Sequence, residues 1–245
     1  MDILGFREML KAKPPEKIAE EILLPLVGKM PTYWVDVGPE IYEELTDYGK
    51  ELGLEQPKVA LMSDSILAFF PINDSPLQTF GHALAAATGF ILTAIQVNSP
   101  SIWLRGAISY GDVWISNEDI GLSFIGPAIA EAYEWEHYQD WIGAILAPSA
   151  ATKLDEALEQ SGMNEVAGLC KYKAPLKIET EATQYCLDLN YWMLHGLTCP
   201  FFTPPDLATN KIDDKSIVRK YRNTIDFFEW CKAKPFGAMT SNDHS

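Results

Sequence analysis

The chain has 245 residues, 47% of them hydrophobic, and a formal net charge of −15 at pH 7. That length suits one large domain or a domain with an appendage, and the composition is ordinary for a globular protein. The charge argues against nucleic acid or an anionic membrane as the main partner, so a phosphate site here must rely on metal ions and a few local cations.

The chain opens on "MDILGF", where Asp2 sits among apolar residues and Gly5 follows. This reads as a first strand running into a turn. Pro14 and Pro15 start a helical pattern with Ile18, Ile22, Leu23 and Leu26 on one side. Residues 31–57 are acidic and tyrosine-rich and are broken by Pro31, Pro39 and Pro57; a short helix is expected over 41–52. "KVALMSDSILAFF" predicts two strands with a tight turn at residues 63–65, and residues 71–76 a loop. From Leu77 the apolar positions Phe80, Leu84, Ala87, Ile91 and Ile95 follow a helical period. With His82, Gln78 and threonines in it, this stretch suits a buried helix better than a membrane span.

"SIWLRGAISYGDVWIS" predicts a strand, a glycine bend and a second strand. "GPAIAEAYEWE" is a helix N-terminus with Gly-Pro at its start, and "WIGAILAPSA" a strand leading into a polar helix. "YKAPLK" and "YCLDLNYW" read as a closing hairpin. Residues 199–215 read as an irregular loop, and Ile217, Tyr221, Ile225 and Phe228 mark a last amphipathic helix. The expected class is α+β: an α/β sandwich with a mixed, mostly antiparallel sheet flanked by helices. Cys170, Cys186, Cys199 and Cys231 form no C-x-x-C and the histidines do not cluster. They read as reduced thiols in a cytoplasmic protein, without a zinc site. No signal peptide is expected.

One residue stands out. Asp64 lies at the centre of the apolar run "LMSDSILAFF", and a buried carboxylate is costly without a partner. Asp64 either faces a cation or caps the hairpin through an Asx-turn with Ser65.

The motifs together resemble the catalytic domain of class III nucleotidyl cyclases, with its βαββαβ, ferredoxin-like core. "MDILGF" is similar to the family's F-x-D-I-x-G-F, "SDSILAFF" to its G-D-x-x-x-x-x-F hairpin, "LRGAISYGDVW" to a strand-and-bend block, and "FIGPAIAEAYEWE" to a helix block. They occur in the family's order over residues 1 to about 136. The same D-I-L-G-F, S-D-S-I and L-R-G-A-I blocks also resemble those of bacterial and phage proteins, and divergent pyrimidine cyclases of antiphage defence depart from the adenylate pattern as this chain does.

The resemblance implies conversion of a nucleoside triphosphate to a 3′,5′-cyclic nucleotide and pyrophosphate in a cytoplasmic homodimer with sites at the interface. It implies two ions, Mg²⁺ or Mn²⁺, held by Asp2, Asp64 and the Ile3 carbonyl; two carboxylates on neighbouring strands can bridge such a pair. Leu4, Gly5 and Phe6 would form the turn whose N–H groups face the phosphates, where a plain strand-to-helix turn is the bland reading. Arg105 would be catalytic through the triphosphate oxygens, or else paired with a carboxylate, Asp64 being one choice. Ser123 falls at the base-selecting position, and Lys173, or Lys171 or Lys177, at the late-strand phosphate lysine. Residues 1–198 are the expected domain, 199–237 a loop and helix packed on it, and 238–245 a disordered tail.

The departures are equally specific. The family's transition-state asparagine falls on Ala130, its arginine on Glu134 and its base-selecting lysine on Ala60. Tyr133 and Glu131 are neighbours that could substitute. A degenerate, nucleotide-sensing or protein-binding module is therefore the second expectation. A nuclease or phosphatase fits less well. In a pure scaffold, Trp34, Trp103, Trp114, Trp135 and Trp141 would be core or interface anchors. Because Met1 alone precedes Asp2, the first strand is expected to be stunted or to begin upstream, and a free amino group to lie near the metals.

Overall fold

The computed structural model describes residues 1–3, 6–24, 58–72, 75–97, 103–118, 121–180, 182–188 and 215–233. The expected helix over 41–52, the loop over 199–215, the tail, and Leu4, Gly5, Trp34 and Cys199 lie outside them. The fold is α+β, as the sequence predicts.

β1 (Asp2–Ile3) leads to α1 (Phe6–Ala12), and α2 (Pro15–Ile18) runs into a π-helical turn, Ala19–Leu23. Phe6, the last residue of the expected turn, opens α1, and its ring is buried in the core. β2 (Lys58–Met62) and β3 (Ser65–Phe69) form the predicted hairpin. Its two-residue turn places Ser63 at φ 58°, a left-handed conformation that β-turns of this length demand. α3 (Pro76–Val97) buries Phe80, Leu84, Ala87 and Ile91, the face its period predicted. Its buried Thr88 hydroxyl donates back to the Leu84 carbonyl at 2.9 Å, so no polar group is left bare.

β4 (Leu104–Ile108) is followed by β5 (Trp114–Glu118) and β6 (Gly121–Ile125), then α4 (Pro127–Tyr138) and β7 (Gly143–Leu146). β6 was absent from the sequence reading, which ran this segment directly into the helix. It pairs with β5 in a separate two-stranded sheet. α5 (Pro148–Ser161) stops at Gly162, whose φ of 69° closes the helix end. β8 (Leu169–Tyr172) and β9 (Gln184–Leu187) form the expected closing hairpin, and α6 (Lys215–Ala233) is the last helix.

The main sheet runs β2-β3-β1-β4-β7-β9-β8, and its one parallel pair is β4 with β7. β7 is buried at all four residues because elements cover both its faces. One core packs Ile3, Ile66, Leu104 and Leu146 against Phe90 of α3 and Leu154 of α5. The opposite face carries a smaller core of Trp141, Ile145, Cys186 and Phe227, with the Trp141 and Phe227 rings edge-to-face at 4.5 Å. Cys170, Cys186 and Cys231 are buried free thiols. Among the described residues no helix is long and apolar enough to cross a membrane.

Gly126, at the start of α4, is required by space. A Cβ there would lie 2.2 Å from the Asp112 carbonyl oxygen and 2.9 Å from the Val113 Cα, both backbone atoms. Gly126→Ala is expected to lower stability by about 1–3 kcal/mol through overpacking. Urea denaturation measures this, and an unchanged midpoint would contradict the close approach.

Candidate functional site

The site begins with the shortest strand. The Met1 nitrogen donates to the Ile66 carbonyl at 2.8 Å, and the Ile66 N–H returns a bond to the Met1 carbonyl at 2.7 Å. The Ile3 N–H then donates to the Asp64 carbonyl at 3.0 Å. On its other side β1 pairs with β4, with Asp2 opposite Arg105 and Ile3 opposite Leu104. Asp2 is also opposite Ser65 of the hairpin. Four predicted residues thus come to neighbouring backbone positions, Asp2 and Ile3 on β1, Arg105 on β4 and Asp64 in the hairpin turn, although up to 103 positions separate them in sequence. The amino group expected near the metals is instead engaged in the ladder to β3.

Asp64 occupies the turn rather than a strand and is half-buried. That position reduces the desolvation penalty that made it conspicuous in an apolar run.

Arg105 is buried, and among the described residues it bonds to Glu136 and to the Gln139 carbonyl. Its Nε donates to Glu136 Oε1 at 2.5 Å, and a second guanidinium nitrogen approaches the same oxygen at 2.5 Å. A third nitrogen donates to the Gln139 carbonyl at 2.8 Å. Gln139 is itself fully buried; its amide donates to the Gly106 carbonyl at 2.8 Å and accepts from the Trp141 indole at 2.8 Å. Burial, together with the cations of Arg105 and Lys220, holds the Lys177 ammonium below its ordinary pKa. Its Nζ donates to the His137 carbonyl at 2.5 Å. The end of α4 is therefore a polar node locked onto the sheet beside β1. Asp140 extends it to α6 through an ion pair with Arg219.

Sequence reading missed Glu136 and Gln139. The available signal was the polar end of "EAYEWEHYQD", which reads as a solvated helix face until Arg105 is placed beneath it.

The remaining candidates are dispersed. Ser123 lies on β6, in the outlying hairpin, which touches the main sheet through the Phe124 and Phe69 rings at 5.6 Å. Lys173 follows β8, the edge strand, four strands from β1 and so about 19 Å away within one chain. Lys171 lies over the Tyr185 ring at 4.6 Å. Ala60 is buried in β2. Ala130 and Glu134 are exposed on α4, and the Glu134 carboxylate accepts from the Tyr138 hydroxyl. Glu131 is committed elsewhere: it accepts from the backbone N–H of Ser149 at 3.1 Å and from its hydroxyl, capping α5.

No family model and no curated protein matches the chain. The residues expected from the sequence as ion ligands, Asp2, Ile3 and Asp64, are brought to adjoining register positions of the backbone, and oxygen is the donor type that Mg²⁺ and Mn²⁺ prefer. A separate group, Cys170, Asp188 and Cys231, offers ligand atoms within 4.8 Å of one another on the far side of the sheet, but thiolates favour softer metals.

Removing one partner of the buried ion pair strands the other charge. Glu136→Ala is expected to cost about 3–5 kcal/mol, whereas Arg105→Met with Glu136→Met costs much less. Paired urea denaturation curves test this; equal losses in the single and double variants would contradict the buried-charge account.

Proposed function

We propose that the chain is a class III cyclase-like domain that binds a nucleoside triphosphate with Mg²⁺ or Mn²⁺ and converts it to a 3′,5′-cyclic nucleotide and pyrophosphate. The observation that carries this reading is the ladder bond from the Ile3 N–H to the Asp64 carbonyl, which sets the second aspartate beside the first. Asp2, Asp64 and the Ile3 carbonyl would hold the ions. When bound, the ions supply charge neutralisation at the phosphates and acidify the attacking hydroxyl.

The chain's own residues set the geometry. The two-residue hairpin turn fixes where Asp64 can reach. Arg105 contributes positive potential beneath Asp2 while Glu136 offsets part of it, so the guanidinium acts on phosphate only if it exchanges partner. In this reading Lys173 and Ser123 serve a site across a twofold interface, because the sheet order separates Lys173 from Asp2 within one chain. Exposed Ala130 and Glu134 of α4 would also face the partner, and neither can neutralise a transition-state oxyanion.

A second reading, nucleotide sensing without turnover, is favoured by one observation: the Arg105 guanidinium is already bonded to Glu136 and to the Gln139 carbonyl.

The test incubates the protein with Mn²⁺ and each of ATP, GTP, CTP and UTP, with chromatography for cyclic product. Asp64→Ala is expected to reduce the product rate at least about 100-fold, the scale for losing a group that stabilises transition-state charge. Nucleotide binding by calorimetry without product selects the sensing reading. Neither product nor binding rejects both.

A further inference from the structure

Cys170, Cys186 and Cys231 lie in the smaller core, on the face of the sheet opposite α3 and α5. Cys170 of β8 and Cys186 of β9 are directly opposite each other in the ladder, so their side chains share that face. Asp188 lies two residues beyond Cys186 and so on the same side of its strand. Its N–H donates to the Gly168 carbonyl at 2.9 Å, which extends the pairing past the end of β9.

Cys231 arrives from α6. Phe227, four residues earlier and on the same face of that helix, has its ring centre 4.9 Å from that of Tyr172, two residues after Cys170 on β8. This contact seats α6 over β8. The result is a group of Cys170, Cys231 and Asp188 whose ligand atoms all lie within 4.8 Å of one another. Cys186 stands apart from it, with its thiol donating to the Gln184 and Tyr172 carbonyls at 3.5 Å and 3.9 Å.

Buried thiols by themselves are ordinary small apolar side chains. The departure is the carboxylate. Packing beside two buried thiols does not call for one, whereas a bound cation does. Tetrahedral zinc, with Zn–S near 2.3 Å and Zn–O near 2.0 Å, separates its ligand atoms by roughly 3.5–3.8 Å. Closing from the 4.8 Å limit to that spacing takes about 1 Å, within reach of side-chain torsions. Both cysteines are buried and Asp188 is half-buried, so the group is closed toward the core and reachable from the Asp188 side. The donors also select the ion. Two sulfurs disfavour Mg²⁺ and Ca²⁺, and a carboxylate oxygen disfavours Cu(I), whereas zinc accepts both.

We propose that Cys170, Cys231 and Asp188 form a site for one zinc-class divalent cation, with water in the fourth position on the Asp188 side. The ion ties the last helix to the β8–β9 edge of the sheet. Its uptake releases the two thiol protons to solvent, since the thiolate is the ligand. The site is separate from Asp2 and Asp64, because β8 lies four strands from β1. The sequence reads as lacking a zinc site because it has no C-x-x-C and no histidine cluster. Here the ligands come from three elements, and 61 positions separate the two cysteines.

The test loads the full chain, reduced and stripped of metal by a chelator, with Co²⁺. Cobalt bound to thiolates gives a near-ultraviolet charge-transfer band that a purely oxygen-ligated ion lacks. One equivalent is expected to develop the band, and Zn²⁺ but not Mg²⁺ to abolish it. Asp188→Asn, at a half-buried strand end, is expected to weaken Co²⁺ binding at least about tenfold, the scale for disturbing a metal site. Cys231→Ser is expected to remove the band and Cys186→Ala to retain it. Zinc is also expected to slow amide exchange in α6 at least about tenfold at saturation. Absence of the band in the unaltered chain would overturn the proposal. So would unchanged affinity in Asp188→Asn, which decides the matter even if the cysteine variants fail to fold.

Discussion

The site rests on a strand of two residues. Asp2–Ile3 has ladder bonds to a hairpin on one side and pairs with β4 on the other, and without it the Asp64 turn has no fixed relation to Arg105. A central strand this short gains little from its own pairing. Its position is held by burial of the Ile3 side chain and by the contact of Met1 with Gly106, where any Cβ would meet the Met1 Cγ at 2.7 Å. Sheet geometry thereby brings Asp2, Asp64 and Arg105, distant in sequence, to neighbouring backbone positions.

The neighbouring polar node has a different character. Arg105, Glu136, Gln139 and Trp141 are all nearly inaccessible, and each polar group named there has a partner. Such a network fixes α4 on the sheet in one arrangement, because a slip of either element leaves a charge unpaired in a dry environment. It also limits chemistry. A guanidinium with a bonded carboxylate has less potential to offer a phosphate than a free one, so any turnover depends on how readily Glu136 gives way.

Much of the fold was legible in the sequence. The period of Phe80, Leu84, Ala87 and Ile91 located α3, and Gly-Pro and Ala-Pro marked the starts of α4 and α5. Asp64 was recognised as anomalous, and the turn at residues 63–65 was legible although it carries no glycine; Ser63 adopts the positive φ in its place. β6 escaped because a five-residue strand that opens on a glycine and runs into a Gly-Pro shows little alternation. Glu136 and Gln139 escaped for a non-local reason: a helix end rich in Glu, His and Gln reads as solvated until Arg105 is set beneath it. The separation of Lys173 from Asp2 was beyond reach, since strand order is a property of the assembled sheet.

The central claim is that Asp2 and Asp64 share metal ions. A crystal structure of the protein grown with Mn²⁺ and a non-hydrolysable nucleoside triphosphate analogue, with anomalous scattering recorded for manganese, tests it most directly. The account predicts anomalous density within about 2.5 Å of oxygens from both aspartates, the usual range for a hard divalent cation. Density at other ligands, or a nucleotide bound with no metal at either aspartate, would contradict it.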